Sequence, residues 1–417
     1  MARPNLRLPV IQNWSCHNCS GCCRQHLIEI TDEERLRIEK QNWQVSDGIP
    51  AGRPVVVKHG AGWRLNHQDD GGCIFLNEEG LCRIHAKFGE PAKPLACQVY
   101  PYALHPSGKD VTVSLRFSCP SVVENKGTPL AEQTKELNRI AKAVTEGKKL
   151  DTPPPSISPG QTLEWPDVLQ LTEALDRTFA DPSAPFDVQL HRALFWVNLV
   201  GEMSFDVVRG EQLKELLDII CEEAAIQIPS SPEPQSPSRS GRMLFRMLVA
   251  QYARRDTASD LNSGWKGRYR LLRAAIRYAR GRGTVPVLHE KFSDVPFAAI
   301  EEEFGPPPEE TNELFTRYFR VKIQGLHFCG SAYYRVPFVE GFYSLALMVP
   351  VVLWLARALA IGAGRTELQR EDIVTALTIA DHHHGYSPAL GSRAARSRTR
   401  SLAKSGDIPR LISWYRR

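Results

Sequence analysis

The sequence predicts a mainly α-helical chain with a small, irregular α+β cysteine-rich module at its N-terminus. Three observations lead there. Eight of the ten cysteines (Cys16, Cys19, Cys22, Cys23, Cys73, Cys82, Cys97 and Cys119) precede residue 120. Turn residues break the segment around them into short pieces. Beyond residue 126, apolar residues recur at helical spacing in one stretch after another.

With 417 residues, 42% of them apolar and 24% charged, the chain can form two or three domains and at least one sizeable core. That composition excludes collagen-like and wholly disordered classes. A net charge of +5 is mildly basic, which permits an anionic partner without requiring one. The opening "MARPNLRLPVIQNWS" lacks an apolar core followed by a small-residue cleavage site. No signal peptide is therefore expected, and a cytoplasmic location follows, where thiols stay reduced. The pattern divides into a cysteine module at 1–125, a helical region at 126–228, a Pro/Ser-rich linker or loop at 229–241, and a helical C-terminal region with a basic tail at 242–417.

Within the module, Thr31 and Glu34 form a capping box that opens a helix through about Lys40. "PVVVKHGAGWRLN" reads as two short strands around a glycine turn, and "CIFLNEEGLCRIH" as a tight hairpin or strand-to-helix turn. In "DVTVSLRF", 110–117, Val111, Val113, Leu115 and Phe117 share one face, which predicts a half-buried strand. Helices are expected at 130–147 and near 162–180, 187–226, 241–255, 265–281, 310–324, 342–363 and 368–381. The apolar stretch 342–364 contains Pro350 and Arg357, so it reads as a buried core helix kinked at the proline rather than a membrane span. Cys221 and Cys329 stand singly in apolar surroundings and read as inert core residues.

The clustered thiols suit a metal better than disulfides, which the cytosol disfavours. Cys16-x2-Cys19-x2-Cys22 presents three sulfurs in succession, and two-residue spacers let a loop gather them round one centre. A distant fourth ligand is available from Cys73, Cys82, Cys97 or Cys119. Cys22 and Cys23 point apart, so they are not expected to bind the same ion. Thiolates serve zinc and iron–sulfur clusters alike. Three close cysteines with one distant partner favour a 4Fe–4S cluster, as does Pro120 following Cys119. Eight thiols could form two four-coordinate sites, or one site with spare cysteines.

"CHNCSGCC", then "GCIFLNEEGLCRIHAKFGEPAKPLACQVYP" and "SLRFSCP", resemble the CxxCxxCC cysteine-cluster family, a zinc- or iron-chelating domain that includes the flagellin lysine-N-methylases. The resemblance covers roughly 14–121. It implies that all eight N-terminal cysteines are metal-site residues. It also implies S-adenosylmethionine as a methyl donor and a protein substrate such as flagellin. The residues themselves add no donor-binding motif. "RGRGT" and "GAGR" follow helical stretches and read as helix C-caps, and the radical S-adenosylmethionine spacing of cysteines is missing. A non-enzymatic iron- or zinc-binding protein with a partner-docking helical region is the alternative.

His382, His383 and His384 fall at an expected helix end, where histidine complements the dipole; a second metal or active site is the other reading. His17, His26, His85 and His105 read as surface or supporting residues. The basic stretch 265–283 reads as a solvated face neutralised by Glu301–Glu303. Neither nucleic acid nor membrane is an expected partner.

Overall fold

A computed structural model describes residues 5–9, 11–147, 150–254 and 264–417, without the side chains of 264, 266 and 268. The end of the helix expected at 241–255 lies outside the described residues; its described part spans Arg239–Tyr252. Helices hold about 52% of the chain, which makes the fold mainly α beside a small strand-containing cysteine region.

Two hydrophobic cores form. The smaller is built from Ile30, Ile38, Ile49, Val56, Leu65, Cys73, Ile74, Phe75, Leu76 and Ile84, with Cys23 and Cys82 packed at its edge. Its sheet is antiparallel, with Gly62–Leu65 between Glu29–Ile30 and Val56–His59. The helix Asp32–Lys40 starts with the expected capping box. Glu34 does more than cap. Its Oε2 accepts from Thr31 N at 2.9 Å, while Oε1 accepts from Leu95 N at 2.6 Å, the first residue of the helix Leu95–Val99 that carries Cys97.

The larger core begins at Tyr102 and runs through the helices to Tyr415. The hairpin Tyr102–Ser107 and Asp110–Leu115 enters it, extended by Leu6–Arg7 in parallel. The strand Asp110–Leu115 is not half-buried: Thr112 and Ser114 on its other face are also buried, and Ser114 Oγ donates to Val321 O. The helix Thr311–Gln324 covers that face. Its end passes so close that a Cβ on Gly325 would lie 2.4 Å from Ser114 Cβ.

The stretch expected as one helix at 187–226 is two, Phe186–Glu202 and Gly210–Gln227, because Phe205 turns into the core between them. Phe338–Gly362 is long and apolar enough to cross a membrane, but 83% of its most apolar window is buried here. It breaks at Leu347, between Phe338–Ala346 and Met348–Gly362, one turn before Pro350. Proline removes the hydrogen bond to the carbonyl four residues back, so the break falls upstream of it. Arg357, fully buried, donates to the carbonyls of Ile300, Glu302, Tyr415 and Arg417. The basic tail forms two helices, Arg393–Lys404 and Asp407–Arg416; the latter buries Leu411, Ile412 and Tyr415. Helical periodicity among so many arginines is easily missed. Residues 228–237 carry no helix or strand, in keeping with a loop.

Candidate metal centre

The eight N-terminal cysteines lie in irregular loops, at isolated bridges, or in and beside short helices. Cys22 and Cys23 lie in the one-turn helix Gly21–Gln25 and, rather than pointing apart as expected, bring their sulfurs to 3.9 Å from each other. Cys73 N donates to Cys23 O at 2.8 Å, which ties the first loop to the second. Cys82 follows a tight turn in which Leu81 N donates to Asn77 Oδ1 at 2.7 Å. Gly80 holds φ +80 there, a conformation glycine adopts without strain. Arg83 secures the turn by donating to the carbonyls of Leu76 and Asp47. Cys97 lies in the short helix anchored by Glu34.

Four of these thiols share one environment. Burial raises the Cys73 thiol to about 12, helped by its neighbours Cys82 and Cys22. Cys97 is pushed well up by burial and then by Cys73, Cys82 and Cys22, against the opposing charge of Lys93. Cys22 is raised by its hydrogen bond to Cys23, by burial and by the Cys23 charge, and Lys93 lowers it. Thiolates that destabilise one another, with an ammonium beside them, form a donor set that a cation would stabilise.

A second grouping lies nearby. Burial raises Cys119, opposed by hydrogen bonds from Val122, Trp14 and Ser121, while Cys19 adds like charge. His17 Nδ1 sits 2.8 Å from Ser15 O and 3.2 Å from Ser121 Oγ, so the first loop lies against the segment after Cys119. Gly127 permits this approach: its Cβ would lie 2.3 Å from Ser15 N. Cys16 is exposed, its sulfur 3.8 Å from Asn18 Oδ1. Among the described residues, no three His, Cys, Asp or Glu side chains converge closely enough to hold a metal as they stand. The chemistry of the four-thiol set fits zinc or iron, and closing it requires side chains to turn inward.

Residues 15–120 match the CxxCxxCC family model, described as "Putative zinc- or iron-chelating domain". This segment is a CxxCxxCC domain. The match supports metal binding by this segment. No curated protein and no solved structure matches the chain.

The CxxCxxCC domain meets the helical body along a buried polar seam that the sequence did not reveal. Lys322 Nζ lies 2.7 Å from Asp381 Oδ1, both side chains wholly buried. Lys322 also donates to Leu115 O at 3.1 Å and sits 3.3 Å from His327 Nδ1. Asp381 accepts from Ser118 N at 3.1 Å and Tyr318 OH at 3.2 Å. The Arg116 guanidinium lies 3.7 Å over the Tyr386 ring and 5.5 Å from that of Tyr100. His26 and His382 stack with centroids 5.1 Å apart, and His105 meets His327 at 4.9 Å.

These imidazoles are neutral. Burial lowers His105 to about 4 and His26 to about 3, with Lys322 and Arg116 respectively adding to the shift. His382 falls to about 2, chiefly through burial and then His26. His327 and His384 are lowered further by burial and by Lys322. Buried among the described residues without a hydrogen-bond partner are His26 Nε2, His105 Nε2, His327 Nε2, His382 Nδ1, His384 Nε2 and Arg116 Nε. Unpaired buried groups are uncommon in packed interiors.

The histidine run does end a helix, Arg370–His383, as expected, and burial disfavours on His382 and His384 the charge that would complement its dipole. His26 and His105 belong to the seam rather than the surface. The triple histidine was the one signal of this site in the sequence; Arg116, Lys322 and Tyr386 gave none.

Proposed function

We propose that Cys22, Cys73, Cys82 and Cys97 hold one zinc ion or iron–sulfur cluster, with Cys16, Cys19 and Cys119 available to a second site. The observation that carries this reading is that Cys73 N donates to Cys23 O at 2.8 Å, which joins the two cysteine loops, with Cys22 and Cys82 near enough to the buried Cys73 and Cys97 for their charges to act on them. The sulfurs must lose their protons to bind, and Lys93 stabilises the resulting thiolates of Cys22 and Cys97. Cys23, packed against the smaller core, supports Cys22. All-cysteine ligation suits an iron–sulfur cluster and zinc alike; the cluster is the first reading and zinc the competing occupant.

A finer reading is that the chain is a cytoplasmic, S-adenosylmethionine-dependent protein lysine N-methyltransferase resembling the flagellin lysine-N-methylases. Its support is the order of the eight cysteines and the seam of neutral imidazoles and tyrosines beside them. Neutral imidazoles can hold or accept protons from an amine. The helical body would receive the protein substrate.

Anaerobic purification tests both readings. Iron with acid-labile sulfide and a visible absorption shoulder supports the cluster, and colourless protein with stoichiometric zinc replaces it with a zinc site. Donor binding by calorimetry, with methyl transfer to lysines of flagellin, supports the enzyme. Metal without donor binding leaves a non-enzymatic metal-binding protein.

A further inference from the structure

The helix Gly264–Arg280 packs onto Arg239–Tyr252 through one face. Ala274 and Tyr278 are buried there, and Arg246 Nε donates to Tyr278 O at 3.0 Å. Its opposite face is unusual. Trp265, Tyr269, Leu272 and Ile276 are 75%, 56%, 57% and 42% exposed. Their spacing is four, three, four. At about 100° per residue this places them within about 60° of arc, a single row.

Single rows at this spacing are the seam of a helix–helix contact. One flank is basic. The seventeen residues of the helix include six lysines or arginines and no acidic residue. Arg273 and Arg280 are exposed on one shoulder of the row. Glu301 and Glu303, expected to neutralise this stretch, pair instead with Arg246 and Arg417.

We propose that the row Trp265–Tyr269–Leu272–Ile276 docks an amphipathic helix of a partner protein that carries acidic residues along one shoulder of its apolar stripe. The charge selects this occupant. A second copy of the same face would set arginine against arginine. The four, three, four spacing of the row fits a partner helix; an anionic membrane surface, which would match the charge, is a separate outcome of the test. The proposal is independent of the metal centre.

The test uses the full chain with its metal and two fluorescein-labelled peptides of three heptads. Both carry the same Leu/Ile stripe; one has a glutamate shoulder and the other a lysine shoulder. Anisotropy should show the glutamate peptide binding at least about tenfold more tightly than the lysine peptide, more so at low salt. Leu272→Asp, which changes an exposed side chain, should abolish binding while the melting temperature holds. The double variant Arg273→Glu with Arg280→Glu should shift preference toward the lysine peptide. Absence of binding, equal binding of both peptides, or insensitivity to Leu272→Asp overturns the proposal. So does binding to phosphatidylglycerol vesicles with none to either peptide.

Discussion

Lys322 and Asp381 meet at 2.7 Å with neither side chain reaching solvent, and both also hold the CxxCxxCC domain. Lys322 donates to Leu115 O, and Asp381 accepts from Ser118 N. The pair therefore fastens the end of one strand between two helices, Thr311–Gln324 and Arg370–His383. Removing one partner leaves a buried charge without compensation, at a cost of about 3–5 kcal/mol. Lys322→Met and Asp381→Asn should each lose stability on that scale in urea denaturation. The double variant should lose less than the sum of the two. Strict additivity would mean that the two side chains act separately.

The seam histidines give stability a defined pH dependence. An unfolded histidine takes up its proton near pH 6.5. Folded His105 resists until about 4, and His327 and His384 are also held below the ordinary value. The unfolded chain thus binds more protons in that window. The contribution is complete above about pH 6.5 and is lost as pH falls toward about 4. Each such histidine contributes a slope of about 1.4 kcal/mol per pH unit. Melting temperature should fall steeply on acidification through this window, and His327→Gln should reduce the slope. An unchanged slope in that variant would remove His327 from the account.

Metal loss should act locally. The smaller core has few buried side chains and sits under the cysteine turns, whereas the helical core is large. Small cores depend on metals far more than large ones do. Chelation should therefore raise amide exchange across 28–92 while leaving the helices Trp165–Ala180, Thr311–Gln324 and Met348–Gly362 protected, as read by hydrogen-exchange mass spectrometry. Because burial holds the Cys73 and Cys97 thiols above their ordinary values, rebinding should release protons and weaken as pH falls. Uniform loss of protection would show that the two cores unfold as one.

Local rules made the module legible. The Thr31 capping box, the strand pair around the glycine turn at 60–62 and the helices after 130 follow from side-chain spacing within a few residues. The buried face of Asp110–Leu115 was not legible, because Thr112 and Ser114 are polar and only a helix two hundred residues later covers them. The seam was hidden for the same reason. Arg116 and Lys322 look like ordinary surface cations until the chain folds over them. The thiol group was half legible: spacing marked all eight cysteines, but not that the charges of Cys73, Cys82 and Cys22 act on the buried Cys97, and that of Cys19 on Cys119.

Glu34 gives the clearest link between helix capping and the metal centre. One oxygen caps Asp32–Lys40 and the other holds the Cys97 helix through Leu95 N. Thr31→Ala removes the reciprocal half of the cap, Glu34 N to Thr31 Oγ1, and leaves the Leu95 contact in place. It should cost about 1 kcal/mol of stability with little change in metal affinity. Glu34→Ala removes both contacts. It should cost at least as much stability and also lower metal affinity about tenfold, the usual effect of losing a residue that orients a ligand. Competition with a chromophoric chelator, set beside melting curves, separates the two variants. Equal losses of affinity would trace the effect to helix stability, and the contact at Leu95 would then have no part in placing Cys97.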